Sequence, residues 1–306
     1  MIGTINSTQF TEVDDGLHEL SGFYDTETFW FSFFVPGRSL GGWLYTTVRP
    51  VAGVSGGGAW IWDADAVDPW AIPFFEQFSA LKLPVGASPQ RLAFPNGVTI
   101  VRREPLMAYD LDYDDRKRLR VSLHFDAVEP PVPLLSGAPP YPNAHHFDQI
   151  GRVAGVVELD GETLPVDCYA MRDRSWGRRN ERGYRRVGYT WAGDNDLSLL
   201  TYTSPTADCD DVHTGYLRRD GQIGRLVGGH RVVARDAGSG WVTAIEIDAE
   251  DELGRTVHAE AEASSRMILP GPTTICINSS LRYVIDGRVV HGEDQDVWPI
   301  DEWRSR

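Results

Sequence analysis

Cysteine is scarce in this chain. Cys168, Cys209 and Cys276 stand far apart among 306 residues. They offer no CxxC pair and no Cys/His spacing of a zinc site, so neither a disulfide framework nor a sequence-legible zinc centre is expected, and the chain reads as the product of a reducing compartment. Long apolar runs are missing as well: no uncharged stretch approaches the roughly 18 residues of a spanning helix. The opening stretch MIGTINSTQFTEVDD carries neither a basic segment nor an apolar one, so no secretory leader is expected and the placement read from sequence is soluble and cytoplasmic. Lysine occurs only at Lys82 and Lys117, and acids outnumber bases 44 to 29 for a net charge of −15. That balance excludes a general nucleic-acid binder, which needs a broad basic face to neutralise phosphate.

Helical signals are sparse. DPWAIPFFEQFSALKL is the one candidate for a short helix, interrupted at Pro73. Two familiar motifs fail on context. Gly53-Val54-Ser55-Gly56-Gly57 has the G-x-S-x-G pattern of a hydrolase nucleophile, but it runs into GGAWIWDAD, which reads as a strand, so a glycine-rich hairpin loop is expected. The same glycines lack the spacing and the following helix that cradle a dinucleotide. No redox cofactor has a visible binding motif. The acidic clusters DCDDVH (208–213) and GEDQD (292–296) lack the twelve-residue calcium loop and read as solvated surface charge. His145 and His146 have no third metal ligand at helical or hairpin spacing, so no metal is expected.

Strand signals, by contrast, are plentiful. RVAGVVELDGETLPVDCYAMRD reads as a hairpin turning at Asp160-Gly161, and TGYLRRDGQIGRLVG does the same at Asp220-Gly221. GYTWAGDNDLSLLTYTS turns at residues 193–196. In GWVTAIEIDAEDELGRTVHAEAEA the residues Trp241, Thr243, Ile245 and Ile247, then Val257, Ala259 and Ala261, alternate with period two. Six prolines in residues 127–146 mark an extended connector. The expected architecture is all-β: a lipocalin-like antiparallel domain over 1–130, a Pro-rich connector over 131–146, and a second lipocalin-like β-barrel over 147–306.

Against the acidic background, MRDRSWGRRNERGYRR (171–186) gathers seven arginines with only two acids, Asp173 and Glu181. On a strand, Tyr169, Met171 and Asp173 share one face. Asp173 is then either a structural corner that accepts hydrogen bonds from arginine or backbone groups, or a carboxyl kept protonated in an apolar pocket and able to act as an acid. The chain is also rich in aromatics, clustered in GFYDTETFWFSFFVPG, in GGAWIWDADAVDPWAIPFFEQF and in GYTWAG.

YAMRDRSWGRR resembles the RD-x-SWG-x-R hallmark of a bacterial branch of the two-domain lipocalin-like superfamily. That branch is similar to the carotenoid 1,2-hydratases (hydroxyneurosporene synthases) and, more distantly, to tocopherol cyclase and fungal decalin-forming pericyclases. FYDTETFWFSFFVPGRSLGGWLYTTVRP resembles its opening strands. HFDQIGRVAGVVELDGE resembles its strand entering the second domain, with Asp148 where Glu is usual. The resemblance covers most of the chain. It implies a hydrophobic small-molecule substrate, terpenoid or polycyclic and of secondary metabolism, held between or inside β-barrels. It also implies a hydratase or cyclase (a lyase or isomerase) in which Asp173, with Trp176, donates a proton to an alkene without a cofactor. Trp176, Tyr169, Tyr189 and Trp191 are candidates to face the resulting cation, and Met171, Tyr24 and Trp30 are further candidates for the cavity wall, as is Glu27. His146 and Gln149 read as an interdomain polar contact, His146 being also a substrate-side candidate. The arginines are expected to pair with acids, or, with Arg179 as the candidate, to bind an anionic or carbonyl group of the substrate. A non-catalytic carrier and a pericyclase that shapes a polyene without proton transfer fit the same cavity. The sequence leaves the oligomeric state open, a homodimer included.

Overall fold

The computed structural model describes residues 10–83, 88, 90–134, 144–179, 185–271 and 273–305. Nineteen strands among them form two antiparallel sheets. The first contains β1 (Asp25–Val35), β2 (Leu40–Arg49), β3 (Val54–Trp62), β4 (Phe74–Lys82), β5 (Arg91–Ala93), β6 (Thr99–Glu104), β7 (Ala108–Asp114), β8 (Leu119–Ala127), β9 (Val132–Pro133), β10 (Ala144–Leu159) and β11 (Glu162–Arg178). Its order is β4-β3-β2-β1-β11-β10-β8-β7-β6-β5, with β9 beside β10, and it curls into a half-barrel. The second is a closed barrel of β12 (Val187–Gly193), β13 (Ser198–Pro205), β14 (Asp210–Arg219), β15 (Gln222–Arg235), β16 (Val242–Asp251), β17 (Thr256–Pro270), β18 (Thr274–Ile285) and β19 (Arg288–Pro299). A short helix, α1 (Ile300–Arg304), follows it.

The hairpins read from sequence are present. Asp160-Gly161 and Asp220-Gly221, and also Asp286-Gly287, which was not read from sequence, take paired positive φ values (50° and 86°, 53° and 72°, 51° and 77°), the backbone of a two-residue turn that matches the twist of its strands. Several expectations need correction. The stretch read as a broken helix is β4, because Pro73 lies just before the strand begins. Of the stretch read as a glycine-rich loop, Gly53 lies in a turn but Val54, Ser55, Gly56 and Gly57 lie inside β3. At Gly58 a Cβ would come within 2.0 Å of the Glu76 carbonyl oxygen, so β4 closes on β3 only because the side chain is absent. Trp241 and Thr243 do not share a face with Ile245, since a bulge between Ala234 and Arg235 of β15 shifts the register there.

The boundary between the two halves differs as well. β10 and β11, expected in the second domain, pair with β8 and β1, so the chain passes from the half-barrel to the barrel between Arg178 and Val187. Of the proline-rich run, residues 135–143 lie outside the described residues. The part before them is pinned, with β9 paired to β10 and Glu129 buried.

Asp208 and Asp211 of the first acidic cluster are exposed, as expected, but the other acids of the two clusters are not solvated surface. Asp210 is buried between Arg186 and Arg231, and Asp294 and Asp296 are fully buried against Arg231, Arg186 and Arg235. This network sits in the barrel with an apolar core that includes Ile245, Ile247, Ala259, Leu281 and Tyr283, so side chains fill the barrel.

β1 is buried on both faces. Phe29, Phe31 and Phe33 point into the half-barrel, and Thr28, Trp30 and Ser32 point towards the barrel. On neighbouring β11, Arg172, Arg174 and Trp176 share the face of Phe29 and Phe31. The Arg174 guanidinium lies 3.8 Å over the Phe29 ring and pairs with the buried Glu27 carboxylate. It also donates to the carbonyls of Thr28 (3.1 Å) and Ser175 (3.0 Å). Arg172 sits 4.2 Å over Tyr109 and donates to Gln149 at 2.7 Å. Two arginines of the cluster are therefore core cations with acidic or aromatic partners.

Removing one member of a fully buried pair strands the other. Arg174→Ala is expected to cost about 3–5 kcal/mol in urea unfolding. Replacing both Glu27 and Arg174 by apolar residues of similar volume should recover most of that loss.

Candidate active site

Period two on β11 sends Asp173 to the face opposite Arg172 and Arg174. A row of residues crosses five strands on that face: Gly58, Tyr45, Trp30, Asp173 and Asp148, each directly opposite the next. The adjoining row is Gly56, Thr47, Thr28, Ser175 and His146. The outer face of the barrel packs against this surface with Tyr189 and Tyr202, themselves an opposed pair on β12 and β13. Because glycine replaces side chains on β3, the two halves do not close completely.

Between them lies a cavity of about 990 Å³. Trp30, Trp43, Tyr45, Trp60, Tyr189 and Tyr202 line it, with Leu269 and Pro270 at the end of β17 and Thr273 just before β18. The rings contact one another edge to face: Trp30 lies 5.3 Å from Trp43 and 6.0 Å from Tyr189, and Tyr189 lies 4.9 Å from Tyr202.

Asp173 lines this cavity. Its Oδ1 is buried with no hydrogen-bond partner among the described residues. Burial pushes the carboxyl up from 3.8 to about 6; His146, Arg179 and Arg174 pull it down, and the neighbouring Asp148 pushes it further up. The competition between desolvation and guanidinium charge is thus won by desolvation. Arg174 points to the other side of the sheet, and Arg179 donates to Ser175 Oγ at 2.9 Å.

Asp148 is held differently. The Tyr189 hydroxyl donates to its Oδ1 at 2.9 Å, and His146 Nε2 lies 3.0 Å from the same oxygen. His146 Nε2 is also 2.9 Å from the Tyr202 hydroxyl. His146 therefore does join the halves, as expected, whereas Gln149 turns into the half-barrel, where it donates to the carbonyls of Leu106 and Glu129.

His146, Asp148 and Asp173 each present one ligand atom within 4.8 Å of the others. The third ligand that the sequence reading did not find stands two residues from His146 and directly across from Asp173. The trio has the donor set for a small divalent cation, which would hold Asp173 ionised.

Of the residues singled out from sequence, Asp173, Trp30, Tyr189 and Arg179 meet at the cavity and His146 stands beside it. Trp176 does not. It faces the other side of the sheet, stacked 4.4 Å from the His18 ring and 5.3 Å from His145, with Phe10 and Phe147 at its edges. The reason is parity, since Asp173 and Trp176 are three residues apart on one strand. Glu27 is likewise on the far face, in its pair with Arg174. Tyr24 is exposed before β1, against Phe23, and does not line the cavity. Met171 is fully buried in the contact between the halves. Tyr169 and Trp191 line a second cleft of about 520 Å³. Asp148, Tyr45, Trp43, Trp60 and Tyr202 were missed. For Asp148 the signal was its place two residues from His146; for the others only strand pairing supplies one.

Residues 11–293 match the family described as a domain of unknown function (DUF7064). No curated protein matches the chain in sequence. In three dimensions the chain is similar to a Nitrosomonas europaea protein given the provisional name AttH, with a TM-score of 0.64, 14% identity and 97% of each chain covered. It is also similar to kievitone hydratase of Nectria haematococca (TM-score 0.57, 9% identity, 89% of this chain and 88% of that one). A third likeness is to CghA in complex with Sch210972 (TM-score 0.57, 12% identity, 90% and 88%). At such identities the likeness is one of fold. The match over nearly the whole length of the sequence makes this chain a member of the DUF7064 family.

Proposed function

We propose that the protein is a cofactor-independent hydratase or cyclase that protonates an alkene of a hydrophobic terpenoid or polycyclic substrate, with Asp173 as the acid. The observation that carries this reading is a carboxyl raised to about 6 and facing an aromatic-walled cavity of about 990 Å³. The fold likeness to kievitone hydratase and CghA supports it. Filling the cavity with an apolar body removes the remaining water from Asp173 and favours its neutral form.

In the proposed step the Asp173 O–H proton moves to one alkene carbon, the π pair forms the new C–H bond, and the other carbon becomes a tertiary cation. Ring faces of Trp30, Trp43 and Tyr189 each stabilise that cation by about 0.5–2 kcal/mol. Water then adds to give an alcohol, or an internal nucleophile closes a ring. The proton released returns to the Asp173 carboxylate, which stands across the strand pair from Asp148, itself fixed by the Tyr189 hydroxyl. The reaction is redox-neutral. Trp176, on the other side of the sheet, acts in this scheme only as a brace for β11.

The test is incubation of wild type and Asp173→Asn with a lipid extract in D2O. Wild type should give products carrying deuterium at carbon, and the variant about 10²–10⁴-fold less. Turnover by the variant at the wild-type rate, with no deuterium at carbon, would leave the pericyclase; retention of an unchanged ligand would leave the carrier. Asp173 also predicts a pH dependence: kcat/KM should fall about tenfold per unit once pH exceeds about 6.

Stability carries the same signature. A folded pKa raised above the unfolded 3.8 means that the stability contributed by neutral Asp173 is fully present below about pH 3.8 and is lost as pH rises through about 6. Asp173→Asn is neutral throughout. In urea melts it should match wild type near pH 4 and exceed it by about 1–3 kcal/mol at pH 7.5.

A further inference from the structure

The second cleft, of about 520 Å³, has no part in the reaction scheme above. Phe34, Leu40, Tyr169, Trp191, Leu281 and Val290 give it an apolar wall. Two polar groups interrupt that wall. Trp191 and Glu293 stand directly opposite each other on β12 and β19, so their side chains share one face of the barrel. Trp191 is 1% exposed, and its indole N–H has no partner among the described residues.

Glu293 is set apart from the other buried acids. Every other acid buried to that degree among the described residues pairs with an arginine or a histidine, from Asp15 on Arg172 to Asp251 on Arg255 and Asp296 on Arg186. Glu293 has no such ion pair. Its Oε2 accepts from the Trp43 indole at 2.8 Å. Burial outweighs the pull of Trp43 and Asn278 and raises the carboxyl to about 8. At neutral pH it is mostly an uncharged acid, which donates through its O–H and accepts through its C=O. The charges at the mouth are largely matched outside the cleft: Arg38 with Glu162 (3.1 Å), Asp167 with Arg152 (2.7 Å) and Asp194 with Arg288 (3.1 Å). His291 lies 4.8 Å from the Phe34 ring, with the exposed Arg282 opposite it.

We propose that this cleft is a second small-molecule site, for a compact neutral ring compound bearing a hydroxyl group whose oxygen accepts from Trp191 and whose hydrogen is donated to Glu293. The polar groups present dictate that class. A hydrocarbon would leave the indole N–H without an acceptor, which is costly in a buried wall. A carboxylate would set a second anion beside an acid that has no counter-cation. A hydroxyl supplies one acceptor and one donor, and the rings of Phe34 and Tyr169 give a flat body its contacts. The volume lies within the range of small-molecule pockets. The site does not depend on the acid role of Asp173, and either can fail alone.

The test is equilibrium dialysis at pH 6.5 with three probes: 2-naphthol, its methyl ether and 2-naphthoate. Ser39 is exposed at the mouth of the cleft and Ala52 at the mouth of the main cavity. Ser39→Trp should therefore abolish naphthol binding, and Ala52→Trp should retain it. With the main cavity blocked by Ala52→Trp, naphthol should bind about tenfold more tightly than the ether or the naphthoate. Trp191→Phe keeps a ring but removes the donor, and should weaken naphthol roughly three- to tenfold. Glu293→Leu should erase the preference over the ether. Glu293→Gln, which keeps a donor and an acceptor and can still accept from Trp43, should preserve it even if the leucine variant does not fold. Binding that survives Ser39→Trp but not Ala52→Trp assigns the probe to the main cavity and overturns the proposal. So does equal or tighter binding of the ether or the naphthoate, or no saturable naphthol binding below about 1 mM.

Discussion

Three buried carboxyl groups hold the half-barrel and the barrel together. Glu129, just ahead of β9, accepts from Ser198 (2.6 Å), Tyr216 (2.5 Å) and Arg218 (2.8 Å), all of the barrel. Asp148 accepts from Tyr189, also of the barrel. In the reverse direction, Glu293 of the barrel accepts from the Trp43 indole N–H at 2.8 Å, and burial raises this carboxyl to about 8. Each bond crosses the contact between the halves. Burying such groups is costly unless their lone pairs are satisfied, and a displaced arrangement would leave them unsatisfied. The relative placement of the two halves is therefore fixed by polar specificity laid over an aromatic contact.

The cavity follows from that placement. With Glu129 and Glu293 satisfied at separate points of the contact, and β3 stripped of side chains at Gly56, Gly57 and Gly58, a gap remains over the row that contains Trp30 and Asp173. Asp173 is the carboxyl on this face that the contact does not satisfy. It stands directly across from Asp148, whose partner Tyr189 is supplied by the barrel. Burial beside a second carboxyl disfavours the charged form of Asp173, whose Oδ1 has no partner among the described residues, and raises it to about 6. The same docking that orders Asp148 thus prepares Asp173 for the acid role proposed for it.

Much of the fold was legible because antiparallel strands announce themselves locally. Asp160-Gly161 and Asp220-Gly221 specify their turns through φ alone, and the alternation of β8 and β17 follows from one wet face and one dry face. β1 was harder to orient, since burial on both faces erases its period. The acidic clusters misled for a related reason. Asp210, Asp294 and Asp296 look like surface charge until Arg186, Arg231 and Arg235, from distant strands, are brought to them. Sequence distance also hid the passage between the halves, because the proline-rich run is a conspicuous break whereas the step from β11 to β12 carries arginine, glycine and tyrosine.

The sequence by itself determined the all-β class, the principal turns, and the sharing of one face by Tyr169, Met171 and Asp173, since φ preferences and period two act between near neighbours. Read strictly, that period also separates Trp176 from Asp173. Tertiary structure alone decided which carboxyls are bonded and which stands bare, and which arginines are core cations and which reach the cavity. Those outcomes depend on desolvation and on partners as far apart as Trp43 and Glu293. Local sequence does not encode the dielectric around a side chain; only the assembled contact between the two halves sets it.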